Sequence, residues 1–119
     1  MPEIESVSTS LIAWADLPES GLCAVDAVIA GENESIIVYR DGDNFAAWRN
    51  VCPHAGRRLD YVPGKFLLDQ GLLVCAAHGA SFRLRDGECV AGPCRGEHLS
   101  KVAVVRRGEH LFLDAAAFP

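Results

Sequence analysis

The sequence predicts a small all-β domain made of short antiparallel sheets. Turn signals, mostly glycine or proline beside aspartate, asparagine or glutamate, recur every several residues along the 119-residue chain. The segments between these turns are short and typical of strands, and little of the chain is typical of helix. Small antiparallel sheets joined by tight turns fit this spacing best.

The predicted strands are short apolar segments, each bounded by turn residues. In chain order they are 11–14, 22–30, 35–40, 45–49, 72–74, 81–84, 88–90, 101–106 and 110–113. Turns are predicted at 16–19, 31–33, 41–44, 86–87 and 107–108. The turn at Asp41-Gly42 is the clearest, because this dipeptide supplies the positive φ that tight hairpins need. The tail at 115–119 is expected to be one helical turn or frayed.

Length and composition limit the classes of protein that this chain can be. We expect residues 1–119 to form a single domain, and half of the residues are hydrophobic, which is enough for a core. The net charge of -5 disfavours nucleic acid and anionic membrane as partners. No apolar run is long enough to span a bilayer. Glu3 and Glu5 stand where a secretory signal would be basic, so we expect no signal and a cytoplasmic location.

Two short segments each combine one cysteine with one histidine: Cys52-Pro53-His54 and Cys75-Ala76-Ala77-His78. In a reducing compartment, cysteines favour metal ligation over a disulfide framework. The spacing C-x-H followed by C-x-x-H suits a two-iron cluster in which one iron takes both thiolates and the other takes both imidazoles. The four candidate metal ligands are therefore Cys52, His54, Cys75 and His78.

A structural zinc site is the main alternative for these four residues. Zinc is often bound by two cysteines and two histidines, but the cysteines then usually form one close pair and the histidines another. A cysteine and a histidine separated by one residue fit that arrangement poorly. The zinc-binding module remains open at this stage as a minor alternative.

The two segments and their surroundings resemble the Rieske [2Fe-2S] family. Residues 51–56 resemble the first ligand loop of soluble Rieske ferredoxins, and 74–82 resemble the second. Asp86-Gly87-Glu88-Cys89 resembles the turn after that loop, and Gly92-Pro93 the proline-bearing third loop. The resemblance runs from about 35 to 113. It implies one Rieske-type [2Fe-2S] cluster held by two cluster-binding loops, and it leaves 59–71 as a local elaboration.

The departures from the family pattern imply a low-potential ferredoxin. Respiratory Rieske proteins carry an additional cysteine in each ligand loop, but the corresponding positions here are Arg57 and Ala77, so that disulfide cannot form. Ala80 and Phe82 occupy the places of a serine and a tyrosine whose hydroxyls donate to the cluster. Hydrogen bonds to cluster sulfur stabilise the reduced state, so their absence lowers the potential.

The resemblance implies one-electron transfer, as a diffusible ferredoxin between a flavin reductase and a terminal oxygenase, without catalysis by this chain alone. A small regulatory or accessory electron-relay subunit of a larger oxidoreductase is the alternative. A catalytic oxygenase subunit would need a further domain with two histidines and a carboxylate on iron. We do not expect it, because only His98 and His110 remain and too little chain follows.

The remaining chemistry-bearing residues are expected to be structural. Cys23, Cys89 and Cys94 are predicted to be small buried side chains. Cys89 and Cys94 are close enough in sequence to approach each other, but a reducing compartment disfavours a disulfide between them. Trp14 and Trp48 lie in strand-like segments and are predicted core residues.

Overall fold

Ten antiparallel strands in three small sheets make up the part of the chain that the computed structural model describes, residues 10–53, 56–75 and 79–114. The strands are β1 (Ser10–Ala13), β2 (Ser20–Ile29), β3 (Glu32–Asp41), β4 (Asn44–Arg49), β5 (Leu67–Asp69), β6 (Leu72–Val74), β7 (Ser81–Arg83), β8 (Cys89–Ala91), β9 (Val104–Arg107) and β10 (His110–Leu113). The only helix in these ranges is one 3-10 turn at Trp14–Asp16. The predicted all-β class is confirmed, while the predicted tail at 115–119 lies outside the described residues.

The first sheet is a meander of β2, β3 and β4 with a two-residue turn at each end of β3. The predicted turn at 31–33 is wrong by one residue, since Ile29 already pairs with Glu32. Ala30 and Gly31, with φ values of 53° and 84°, form the turn instead. Two positive φ angles match the right-handed twist of the strands, so pairing resumes at once and β3 is longer than predicted.

The second sheet has the strand order β1-β10-β9 and joins the two ends of the described chain. The predicted strand 101–106 starts later, at Val104. The preceding residues pair with β4 instead: Arg49 N–H donates to Ser100 O at 2.8 Å, and Val102 N–H donates to Ala47 O at 2.9 Å. Lys101 and Val102, the first two residues of the predicted strand, therefore pair with β4 of the first sheet instead.

Trp14 joins the first and second sheets. It is buried with residues of both sheets, as predicted for a core tryptophan. The guanidinium of Arg40, on β3, lies 4.3 Å from the ring centroid, and that of Arg106, on β9, lies 3.8 Å from it. An arginine over an indole face is attracted by the ring quadrupole, so the two cations stabilise this junction.

The third sheet, β5-β6-β7-β8, forms the wall of a second core. This core contains Trp48, which confirms its predicted burial, and also Cys52 and Cys75. β4 leads the chain toward Cys52, and β6 runs directly into Cys75. Both predicted cysteine ligands therefore follow strands and line one buried cluster.

Residues 59–71 extend the third sheet and are fixed by a buried polar network. β5, which the sequence analysis did not predict, adds an edge strand to β6. At the start of the segment, the Asp60 carboxylate accepts hydrogen bonds from Asn50 Nδ2 at 3.0 Å, Arg58 Nη2 at 2.7 Å and Gly64 N–H at 3.0 Å. Asn50 Oδ1 accepts from Leu59 N–H at 2.7 Å. Asn50, directly after β4, thus ties the elaboration to the strand that leads to Cys52.

Within the described residues, no helix has the length and apolar character needed to cross a membrane.

The Asp60 network predicts a pH-dependent contribution to stability. The hydrogen bond from Arg58 is the largest cause that holds the pKa of Asp60 at about 2 instead of 3.8, with Gly64 and Asn50 adding to it against the opposing effect of burial. A depressed pKa in the folded state stabilises the protein above the unfolded value, and this stability is lost as pH falls from about 4 to about 2.

Asp60→Asn should therefore lower the free energy of unfolding by about 2 kcal/mol at pH 7. Denaturant unfolding at pH 7 and at lower pH measures the effect, and the difference from wild type should shrink between pH 4 and pH 2. Asp43→Asn, in an exposed turn, is the control and should unfold like wild type. An unchanged midpoint for Asp60→Asn at pH 7 would contradict the prediction.

Candidate metal centre

The first predicted ligand loop is closed by two backbone hydrogen bonds at Cys52. The Cys52 N–H donates to the Arg57 carbonyl at 2.7 Å, and the Cys52 carbonyl accepts from the Gly56 N–H at 2.8 Å. Both backbone groups of the cysteine are thus satisfied within its own loop. The Cys52 side chain is fully buried, so its thiol lies in the interior of the protein.

The second loop repeats this pattern at Cys75. The Cys75 N–H donates to the Ala80 carbonyl at 2.7 Å, and the Cys75 carbonyl accepts from the Gly79 N–H at 2.8 Å. The glycine that follows each cysteine by four residues has positive φ, 70° at Gly56 and 75° at Gly79. Glycine adopts this conformation without steric cost, so both loops close in the same way. The two segments thus share the hydrogen bonds at the cysteine and the positive-φ glycine that follows it.

The two thiols belong to one buried cluster, with Cys52 at 0% and Cys75 at 1% exposure. The predicted ligands His54 and His78 lie outside the described residues. Within the ranges that the structure describes, no three His, Cys, Asp or Glu side chains are grouped to hold a metal ion. The structure therefore brings together the cysteine half of the predicted ligand set.

A third turn packs directly against the second ligand loop. Gly92, with φ of 97°, lies so close that a Cβ added there would be 2.8 Å from Ala80 Cα. The same Cβ would be 3.1 Å from the Gly79 carbonyl oxygen. Only glycine allows this approach of backbone to backbone. The turn that begins at Gly92 therefore braces the loop between Cys75 and Ala80.

No hydroxyl is present at Ala80 or Phe82, and both side chains are fully buried. The intervening Ser81 is half-buried, and its Oγ donates to the Gly79 carbonyl at 3.3 Å. This agrees with the strand alternation that predicts Ser81 to point away from the two buried neighbours. The buried positions beside the second loop thus offer no side-chain donor.

Cys89 and Cys94 approach each other, as their short separation in the sequence allows. Both are buried as predicted, but their Sγ atoms lie only 3.1 Å apart. Burial is the largest of the causes, which include Cys89 and Cys52, that raise the pKa of the Cys94 thiol to about 12. The sequence indicated only that one cysteine begins a strand and that the other lies in the following turn. The distance between the two sulfurs depends on how this turn folds back.

The arginines beside the first loop have different environments. Arg58 forms a bidentate ion pair with the Asp60 carboxylate, through Nε at 2.9 Å and Nη2 at 2.7 Å. Arg57 is exposed, and its carbonyl closes the first loop. Positive charge on the outer side of this loop is therefore supplied by Arg57, whereas that of Arg58 is balanced locally.

The chain has the sequence pattern of a known iron–sulfur domain over most of its length. The family model described as the Rieske [2Fe-2S] domain matches residues 12–109. The chain belongs to the Rieske family. The cofactor of this family is a [2Fe-2S] cluster, and the two equivalent loops with buried thiols fit such a group. The predicted family, fold class and cofactor are confirmed.

Solved structures of similar fold include ferredoxins. The ferredoxin of carbazole 1,9a-dioxygenase from Nocardioides aromaticivorans IC177 is 27% identical, with a TM-score of 0.65 over 88% of this chain and 94% of that one. A chain in the complex of reduced oxygenase and oxidized ferredoxin in carbazole 1,9a-dioxygenase is 25% identical, with a TM-score of 0.68 over 88% and 99%. The Sphingomonas yanoikuyae B1 ferredoxin, at 21% identity and a TM-score of 0.67 over 89% and 96%, shares the fold. None of the curated protein sequences matches the chain.

These findings establish electron transfer through a Rieske [2Fe-2S] cluster as the function of the chain. The chain is an electron carrier of the ferredoxin type. When bound, a cluster of this kind would accept and donate one electron.

Gly92→Ala should loosen the second loop, because the added methyl group collides with Ala80. We expect about 1–3 kcal/mol of destabilisation from the overlap, beyond the strain of a positive φ. Gly96→Ala is a matched control, since Gly96 has φ of 94° but no neighbour within 4 Å. Thermal unfolding and the rate of bleaching by a chelator measure the two effects. Equal behaviour of the two variants would show that the contact with Ala80 is unimportant.

The absence of hydroxyl donors predicts a reduction potential near the low end of the Rieske range, about −150 mV. Ala80→Ser and Phe82→Tyr should raise it, because each adds a donor that stabilises reduced cluster sulfur. Ser81→Ala should leave it unchanged, since that hydroxyl bonds to a backbone carbonyl. Protein-film voltammetry measures all three variants. A wild-type midpoint at the positive end of the range would overturn the low-potential prediction.

Proposed function

We propose that Cys52 and Cys75 bind one iron of the cluster and that His54 and His78 bind the other. The observation that carries this proposal is the equivalence of the two cysteine loops, each closed by the same pair of hydrogen bonds. Equivalent loops place equivalent ligands, so a cysteine from each belongs to one iron. Each histidine follows its cysteine within the same loop and is left for the second iron.

This ligand set explains how the protein tunes its electron affinity. Two neutral imidazoles in place of two anionic thiolates make the site less negative, so adding an electron costs less free energy. Both cysteine thiols lie in the core, which supports an inner position for the iron that they would bind. The iron bound by the histidines then lies on the outer side, where a partner protein can approach it.

A structural zinc site receives no support from the family match, which is to a [2Fe-2S] domain. Zinc also has no accessible redox chemistry in proteins, so it would leave the chain without an electron to transfer.

The electron acceptor that we propose is a terminal oxygenase. The similar structures include a complex between an oxygenase and a ferredoxin of carbazole 1,9a-dioxygenase. A flavin reductase is the proposed donor, in line with the family resemblance, and the cytoplasm is the proposed location. An accessory relay subunit fixed within a larger oxidoreductase would use the same cluster, and the two roles differ in whether the chain must dissociate between electron transfers.

Ligand variants test the assignment directly. Cys52→Ser and Cys75→Ser should lose the cluster and its red-brown colour, and with it much of the stability of this small domain. His54→Cys and His78→Cys should lower the potential and alter or abolish the Rieske EPR signal. Cys23→Ser and His98→Ala, outside the proposed site, should keep the wild-type spectrum. An unchanged Rieske spectrum in any of the four ligand variants would refute the assignment.

Electron delivery tests the partner. The reduced protein should be reoxidised in a stopped-flow experiment by the oxygenase component of carbazole 1,9a-dioxygenase, and the rate should rise in proportion to oxygenase concentration. Such a dependence is expected of a carrier that diffuses to its acceptor. Reoxidation no faster than in buffer, with that oxygenase and with others of its class, would favour the accessory-subunit role.

A further inference from the structure

Two thiols outside the proposed ligand set lie against each other in the core. Cys89 begins β8, and Cys94 lies in the turn that follows this strand. The two Sγ atoms are 3.1 Å apart, and the residues are 0% and 1% exposed. Both are free thiols, and the electron-transfer role described above does not use them. Their proximity needs a separate explanation.

The backbone holds this pair in place from both sides. The Cys89 N–H donates to the Glu97 carbonyl at 2.7 Å, and the Cys89 carbonyl accepts from the Gly96 N–H at 2.9 Å. The Cys94 carbonyl accepts from the Glu97 N–H at 2.9 Å. A disulfide requires an S–S distance of about 2.05 Å, so the sulfur atoms need to approach by only about 1 Å. The turn is thus preorganised to close a bond between them.

Short contacts link the two free thiols to each other and to the backbone. Cys94 Sγ donates to Cys89 Sγ, and Cys89 Sγ donates to the Ala91 carbonyl at 3.2 Å. The two sulfurs are in contact, so either one can attack an oxidised form of the other.

We propose that Cys89 and Cys94 are an oxidation site for small hydroperoxides and close to a reversible disulfide. When an opening of the turn admits solvent, one thiol loses its proton and its thiolate attacks an oxygen of the peroxide. The O–O bond breaks and the leaving oxygen takes up a proton, giving a sulfenic acid and water, or an alcohol from an organic peroxide. The second sulfur then displaces the hydroxyl group, the S–S bond forms and water leaves. The two sulfurs lose two electrons in total, the peroxide gains them, and both thiol protons end on oxygen.

The residues that cover Cys89 and Cys94 limit the size of the oxidant that can reach their sulfur atoms. Cys94 is buried, but its neighbours Gly92, Pro93, Arg95 and Gly96 are all exposed, so the turn covers the sulfur with a single layer of chain. Hydrogen peroxide is little larger than water and passes such a layer during small openings of the turn. Glutathione disulfide is far bulkier and must bring one of its own sulfurs into line with the attacked thiol.

Closure of the disulfide acts on the neighbouring loop. The same turn presses Gly92 against Ala80, next to the hydrogen bond that closes the second cysteine loop. A covalent link from β8 to the turn restricts the motion that would lift Gly92 away. Oxidised protein should consequently lose iron to a chelator more slowly than reduced protein. The oxidation site itself does not depend on the ligand assignment, because neither cysteine belongs to it.

The experiment uses the cluster-loaded protein freed of reductant. Samples are treated with hydrogen peroxide or with glutathione disulfide, then denatured, alkylated and mapped by mass spectrometry without reduction. Peroxide should produce a peptide with Cys89 and Cys94 linked, lighter by the two hydrogens lost, and dithiothreitol should restore both thiols. Glutathione disulfide should give at least tenfold less of this product in the same time.

Variants identify the reacting pair. Cys23→Ser, which removes a half-buried cysteine elsewhere, should form the disulfide at the wild-type rate. Cys94→Ser and Cys94→Ala should form none, and at least one of them should retain the cluster spectrum. Alkylation of both Cys89 and Cys94 after peroxide treatment that bleaches half of the cluster would overturn the proposal. A disulfide from either residue to Cys52 or Cys75 would also overturn it.

Discussion

The closed cysteine loop is the constraint on which the rest of this structure depends. A buried thiol can bind metal only if its own backbone polar groups are satisfied without the metal, and two hydrogen bonds within each loop achieve this at Cys52 and Cys75. The strands β4 and β6 set the direction from which each loop leaves the core. These hydrogen bonds fix the backbone of each cysteine within its loop.

The two loops are closed by the same pair of hydrogen bonds but are supported by different contacts. The first is anchored from behind by Asn50, which joins the end of β4 to the Asp60 network and the added strand β5. The second is supported from the side by the backbone of Gly92. Polar anchoring responds to pH through Asp60, whereas backbone packing does not. A substitution at Asp60 should therefore weaken the support of the first loop only, and a substitution at Gly92 that of the second loop only.

The sequence alone predicted those parts of the structure in which a residue type strongly favours one local conformation or one kind of ligand. The paired cysteines and histidines, the glycines after them and the strands on either side indicated the fold and the ligand loops. β5 was missed because three exposed residues form an edge strand only when β6 is already beside them. The pairing of Ser100 and Val102 with β4 is likewise a tertiary contact without a local signal. The approach of Cys89 to Cys94 was recognised as possible from their short separation, but the 3.1 Å contact depends on how the turn folds.

Each of the two cores contains one tryptophan, and this gives the molecule two independent optical reporters. Trp14, with two guanidinium groups over its ring, belongs to the core that excludes the cysteine loops. Trp48 belongs to the core that includes Cys52 and Cys75, and it stacks on Tyr39 with ring centroids 6.4 Å apart. An iron–sulfur chromophore quenches the emission of an indole close to it more strongly than that of a distant one. The intensity and wavelength of fluorescence thus distinguish opening of the terminal sheet from opening of the cluster-bearing half, without any label.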